Sequence, residues 1–407
     1  MAGDTLTTAS GILKDVYGKL GDLINKNHPI VKKLQTNTKD WDGETFKTGV
    51  ITNRNTSARG MSATGQLPVA GNLSTTKTSV SAKVIAGRAQ IDVALMNAAK
   101  TDRGAFINGT KMVMQGLKES CSYSFHRQLI GRKYAVTGYP SGIVGKVTTG
   151  ASSATQVFDS NQHFEVGRAY YIGTTTQLAN VSGGTSGTVL SISSDGVSVT
   201  FTGSITTTTD DYATPYDANG VSYTYEWKGL AHLCNNEDDD YLGVDTGVYT
   251  GWAATVRSNS GTNRALTLRL MDETADAIRI QSGEVADVIC ADDSFWREYV
   301  EALRADVRFV PGMMAGGDVT TSYSHGGRKF ELVDDYLSTR GKAYYLNTSA
   351  LELAVRQPWG FMEEDGAILS RVPGYRAYEM TYSCEGDLST NARNRHGVLA
   401  DITTTTV

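Results

Sequence analysis

Between Thr76 and Ala86 apolar and polar side chains alternate strictly. Thr78, Val80, Ala82, Val84 and Ala86 fall on one face, with Lys77, Ser79, Ser81 and Lys83 on the other. That period of two belongs to extended strand. A strand from Ser74 to Ile91 would reach roughly 60 Å at about 3.3 Å per residue. A compact chain of 407 residues has a radius of gyration of only about 22 Å. The pattern therefore predicts an extended hairpin over 47–91 whose middle lies on a neighbouring copy rather than on its own core. Arg54, Arg59, Lys77 and Lys83 are its candidate inter-subunit contacts.

The period then changes. Phe106, Val113, Leu117, Cys121 and Phe125 recur at spacings of seven and four, predicting a long helix capped by Thr101 or Asp102 and continuing to Ile130. It would span about 45 Å at about 1.5 Å per residue and serve as a spine for the subunit. A second amphipathic helix is expected over 7–27, from Leu13, Val16, Leu20, Leu23 and Ile24, ending before Pro29.

Near residue 145 the composition shifts. No lysine occurs between Lys146 and Lys228, and threonine and serine dominate. Strand signals cover His163–Tyr171. Leu190 and Ile192 then alternate into Asp195-Gly196, and Val197, Val199 and Phe201 alternate out. Asp-Gly between two alternating runs is a strong hairpin signal. Residues 145–222 thus predict a small inserted β-barrel or β-sandwich.

Beyond the insertion the pattern is mixed. Leu266, Leu270, Thr274 and Ile278 support a helix over 264–282, followed by a buried strand at Val285–Ala291. Asp292 or Asp293 caps a further helix through Arg304, with Trp296, Val300 and Leu303 expected to face inward. Strands are expected at Val307–Val310, Lys329–Val333, Ala343–Leu346, Tyr378–Tyr382 and His396–Ile402.

Composition narrows the function. A net charge of −5 gives no support for a basic, sequence-reading nucleic-acid face, though a shell can enclose a polymer without one. Cys121, Cys234, Cys290 and Cys384 lie far apart, which suits reduced thiols in a cytoplasmic setting. There is no signal-peptide pattern and no run of 18 apolar residues, so no membrane span is expected.

No nucleophile elbow, Walker loop, zinc-protease motif or dinucleotide fingerprint occurs, and the six histidines are scattered. Glu237-Asp238-Asp239-Asp240 with Asp245 lacks the spacing of a calcium loop, and Glu363-Glu364-Asp365 reads as a turn. No catalytic residue, cofactor or metal is expected. A cross-link from Lys77 or Lys83 to Asn391 or Asn394 of a neighbour, assisted by Glu385, would need a desolvated, neutral amine. Lysines on the polar face of a strand are ordinarily solvated, which counts against it.

The order of parts resembles the major capsid protein of tailed phages. The resemblance rests on several stretches taken in order: Tyr225-Glu226-Trp227-Lys228-Gly229-Leu230 after the insertion, then Tyr249 with Trp252. Phe330–Asp335 and Ala343–Asn347 are similar to the strand pair closing the axial domain. Tyr382–Leu388 and Asn394-Arg395-His396 are similar to the last peripheral strands. It implies an α+β Hong Kong 97-type fold: N-terminal arm 1–46, extended hairpin (E-loop) 47–91, spine helix and start of the main domain 92–144, inserted β domain 145–222, axial domain 223–355, and C-terminal peripheral strands 356–407.

The implied function is self-assembly, through hexamers and pentamers, into an icosahedral head. The head would be built in the host cytoplasm and enclose double-stranded DNA without reading its sequence. A portal, a decoration protein and a scaffolding protein would be partners; with no long segment ahead of the arm, the scaffold is expected to be separate or absent. The alternative is a virion or cell-surface adhesin whose threonine-rich β domain binds carbohydrate.

Overall fold

The computed structural model describes residues 29–63, 65–93, 103–134, 141–180, 182–217, 220–221, 224–237, 241–304, 322–363 and 367–404. The expected helix over 7–27, the caps Thr101 and Asp102, and the strand at 307–310 lie outside them.

The spine helix runs Arg103–Ile130, about 42 Å at about 1.5 Å per residue. Its apolar residues point at a five-stranded sheet: Val113 and Leu117 are partly buried, and Cys121 and Phe125 are buried. The helix lies close on the strand Lys83–Asp92, where a Cβ on Gly87 would come within 2.8 Å of Leu117. Gly131, at φ 64°, ends it in the left-handed conformation that glycine adopts without strain.

In that sheet Gln35–Asn37 runs parallel to Leu351–Phe361, which pairs antiparallel with Ala377–Thr390. Ala377–Thr390 in turn pairs with Lys83–Asp92 and Ser370–Arg371. The strand expected at Tyr378–Tyr382 is therefore much longer. Beneath the sheet, Trp227 is fully buried against Phe125, edge to face at 5.1 Å.

A second sheet has the order Thr255–Arg257, Gly397–Leu399, Ala343–Leu346, Val288–Ala291, Arg328–Asp334, Ser322–His325. Two expectations change here. The strands that resembled a closing pair are separated by Val288–Ala291, and the chain's last strand belongs to this axial sheet rather than the peripheral one. Helices Leu268–Ser282 and Asp293–Arg304 cover it. Thr267 caps the first by accepting from the Leu270 N–H, and Asp292 caps the second by accepting from Phe295. Phe295 and Tyr299 are the fully buried apolar residues of the second helix, and Trp296 and Leu303, partly buried, pack against the same cluster as expected, whereas Val300 is only partly buried and is not part of it. Tyr299 meets Tyr323 edge to face, and this fixes the helix rotation.

The insertion closes on itself. Its strands run in the order Tyr212–Asp217, Gly145–Thr149, Ser152–Phe158, Ser198–Thr206, Thr185–Ile192, Ala169–Gly173, and Ala169–Gly173 pairs back to Tyr212–Asp217. The result is a barrel with no free edge along that circuit. Its interior holds Val147, Phe158, Phe164, Tyr170, Val199 and Phe201, with the Phe158 and Phe164 rings 4.6 Å apart. The Asp195-Gly196 turn forms as expected, with Asp195 accepting from the N–H groups of Val197 and Ser198. The inward residue of the strand before it is Val189, not Leu190. The register slips between Thr200 and Phe201, leaving Leu190 59% exposed.

Candidate functional site

The hairpin differs from its expected form in one respect that matters. Thr45–Asn53 pairs with Ser74–Ser81, but the return strand stops there and a separate strand begins at Lys83. Ala82 is the joint. Across it the buried face flips from Thr78 and Val80 to Ile85 and Ile91, because one residue inserted into a period of two reverses every side chain. Val84 and Ala86 consequently face outward. The continuous arm of roughly 60 Å is therefore a hairpin of about half that reach, and its root belongs to its own subunit. Phe46 and Val80 are buried in the main core, and Ser79 lies beside Gly243.

Residues 54–73 form the tip. Asn55 closes its neck, donating to the Gly71 carbonyl at 2.8 Å and accepting from the Ser57 N–H. Beyond the neck, Leu67 is 76% and Val69 86% exposed, with Met61 and Leu73 also exposed. Arg54, Arg59 and Lys77 are exposed along the arm. Lys83 is not part of it. Its ammonium donates to the Glu226 carbonyl and lies 3.4 Å from Asp387, with only 18% of its side chain exposed. This candidate contact is thus an internal tie, made by the strand that follows Ala82. The same pairing counts against Lys83 as a cross-linking amine, and Glu385 faces Arg356 at 3.7 Å instead.

The barrel is joined to the body by polar contacts that patterning does not reveal. Gln162 donates to the carbonyls of Tyr336 and Ser338, and the His163 Nε2–H donates to that of Leu337 at 2.9 Å. Burial holds His163 well below the usual imidazole range, and the neighbouring Arg132 charge adds to this. Arg132 meets Asp159 at 3.4 Å. Arg340 packs so tightly under Gly196 that a side chain there would collide with it. The expected strand His163–Tyr171 shrinks to Ala169–Gly173 because its first residues form this seam.

Beneath the seam, Arg127 binds Glu226 through two hydrogen bonds of 2.8 and 2.5 Å. Burial opposes the guanidinium charge, but the Glu226 carboxylate outweighs it and holds the group above its ordinary value. His126 and Asp335, both fully buried, pair at 2.6 Å. Arg393 donates to the carbonyls of Leu233 and His232 and lies over the Tyr241 ring at 4.7 Å. These side chains tie spine helix, barrel and axial sheet together. Glycine and turn signals could locate the turns, but nothing in a linear pattern pairs residue 127 with 226.

The acidic clusters resolve unevenly. Glu237 pairs with Lys133 at 2.7 Å, and Asp245 caps the Gly247 N–H; residues 238–240 and 364–366 lie outside the described residues. Among the described residues no His, Cys, Asp and Glu are grouped to hold a metal ion. No helix among them is long and apolar enough to cross a membrane.

Neither a family model nor a curated protein matches the sequence. Solved structures do match in shape. The chain superposes on the cyanophage A-1(L) capsid asymmetric unit with a TM-score of 0.58, at 13% identity and covering 96% of both chains. Against the capsid of a native GTA particle the TM-score is 0.51, at 8% identity, covering 99% of this chain and 100% of the other. The fold is the Hong Kong 97-type capsid fold. In its terms the hairpin is the E-loop, Arg103–Ile130 the spine helix and the six-stranded sheet the axial domain. The barrel is carried as an insertion between spine helix and axial sheet.

Proposed function

We propose that the chain is a major capsid subunit that assembles, through hexamers and pentamers, into an icosahedral phage head. One observation carries this reading: on a capsid fold, the E-loop tip holds out Leu67 and Val69, which the described residues leave uncovered. A contiguous exposed apolar strip marks a protein contact, and a second subunit is the partner the fold suggests. Obligate contacts of this kind bury roughly 2,000–5,000 Å². Arg54, Arg59 and Lys77 would lie in that contact.

The role is structural rather than enzymatic. The head would form in the host cytoplasm and enclose double-stranded DNA passively, in keeping with a net charge of −5. Portal, scaffolding and decoration proteins are the partners such a head calls for. Electron microscopy of the purified recombinant chain tests the proposal. Closed shells or capsomers are expected; monomers persisting at high concentration would overturn it.

A further inference from the structure

The E-loop and the body enclose a groove of about 550 Å³. One wall is Val50, Thr52 and Arg54. Facing them are Trp252, Gln281, Asn391, Asn394 and Arg395. The groove's polar groups are lopsided: two guanidiniums and four carboxamides (Asn53, Gln281, Asn391 and Asn394) line it, and among the described residues no carboxylate does. The acid paired with Arg395 is Glu284, at 4.0 Å and outside the groove. Arg54 has no ion pair among the described residues. Thr52 Oγ1 on one wall and the Trp252 Nε1–H on the other are buried without a hydrogen-bond partner. Buried polar groups are ordinarily satisfied, and two like charges in one acid-free groove favour an anionic occupant.

We propose that this groove receives the Glu363 carboxylate of a second copy of the chain, seated between Arg54 and Arg395. Charge complementarity points to Glu363. It is exposed and has no ion pair among the described residues, and it opens the run Glu363-Glu364-Asp365. No lysine or arginine occurs from 357 to 370 to compensate that run. Met362, 45% exposed, brings an apolar group beside the acid to meet Val50 and Ile51. The inference rests on the assembly reading and specifies which surfaces meet.

The test uses the full chain. Arg54→Glu, Arg395→Glu and Glu363→Arg should each reduce capsomer and shell yield about tenfold at physiological salt. The exchange Arg395→Glu with Glu363→Arg should restore most of it. Thermal melts of the unassembled variants should match the parent, since these groups lie at or near the surface. A second measurement does not need closed shells. In the Arg395→Lys variant a carbodiimide should link the introduced amine to Glu363 across differently isotope-labelled copies. Parent shells with unaffected groove variants, an exchange without rescue, or no inter-copy link would each overturn the proposal. So would inorganic phosphate or a DNA duplex binding the free subunit in an Arg54-dependent way. A parent chain that never assembles, yet still gives the link in small oligomers, would sink the shell reading alone.

Discussion

The barrel and the E-loop are both β excursions from the same body, and they resolve their apolar side chains in opposite ways. The barrel closes its hydrogen-bond circuit and turns Phe158, Phe164 and Phe201 inward. It then docks through Gln162, His163 and Arg132. The E-loop is a hairpin, joined at its root by the short strand Trp41–Asp42; that root buries Phe46 and Val80, and the tip turns Leu67 and Val69 outward. An isolated hairpin is marginal in water. One excursion buries its apolar side chains within the subunit, and the other leaves those of its tip exposed, to be covered by a neighbouring subunit on the proposed reading.

The sharpest way to break this contrast is to remove the tip. Deleting Asn55–Asn72 should leave a folded subunit with a nearly unchanged melt, because the neck strands and the buried root remain. Shell closure should be abolished. Electron microscopy and sedimentation decide it, and normal shells from the deletion would show that the tip is not an interface.

The converse change strikes the barrel. Phe158→Ala removes a fully buried ring packed on Phe164 and should destabilise the barrel by about 3–5 kcal/mol. Calorimetry should show a separate barrel transition moving to lower temperature, with the body's transition less affected. A single shared transition would mean that the seam at Gln162 and His163 couples barrel and body fully.

How far these regions could be read from sequence follows from the range of the forces that shape them. The Asp195-Gly196 turn, the spine helix and the strand Ala343–Leu346 were legible because turn chemistry and periodicity act within a few residues. The face flip at Ala82 was not: the alternation through Val84 and Ala86 is intact, and only pairing to Ala377–Gly386 selects Ile85 and Ile91 as the inner face. The full burial of Tyr299, which the pattern of Trp296, Val300 and Leu303 did not single out, likewise depends on Tyr323, across the sheet. The seam and the Arg127–Glu226 pair join residues far apart in the chain, and the exposed Arg54, Arg59 and Lys77 of the arm look the same in sequence as the internally bound Lys83.

Acid should separate the two regions more gently. His163, in the seam, and His396, held by burial and by Arg395 and Arg393 down to about 3, are both neutral when folded. Unfolded histidine binds a proton near pH 6.5. Their depressed values therefore leave stability unchanged above that pH. As pH falls below it, each histidine should remove about 1.4 kcal/mol per pH unit until its folded value is reached. Melts between pH 7 and 5 should show this, and His163→Gln should make the slope shallower by one histidine's share. The E-loop strands contain no histidine, so their own contacts should not titrate in that window. A slope unchanged in His163→Gln would remove the seam from the account.

The smallest effect tests the barrel's register. Val189 is 1% exposed, whereas the register slip leaves its neighbour Leu190 59% exposed. Val189→Ala should cost about 2 kcal/mol, from lost burial plus a small cavity. Leu190→Ser should change barrel stability by less than about 0.5 kcal/mol, as surface substitutions usually do. The same Leu→Ser change at Leu67 should be equally silent in the melt, because that side chain too is exposed, yet it should lower shell yield. Leu190 thus serves as a control on the tip: two exposed leucines in β excursions, of which only the one on the open arm should matter to assembly. If Leu190→Ser impairs assembly as strongly as Leu67→Ser, the barrel surface is also a contact, and the contrast between a complete and an incomplete excursion fails.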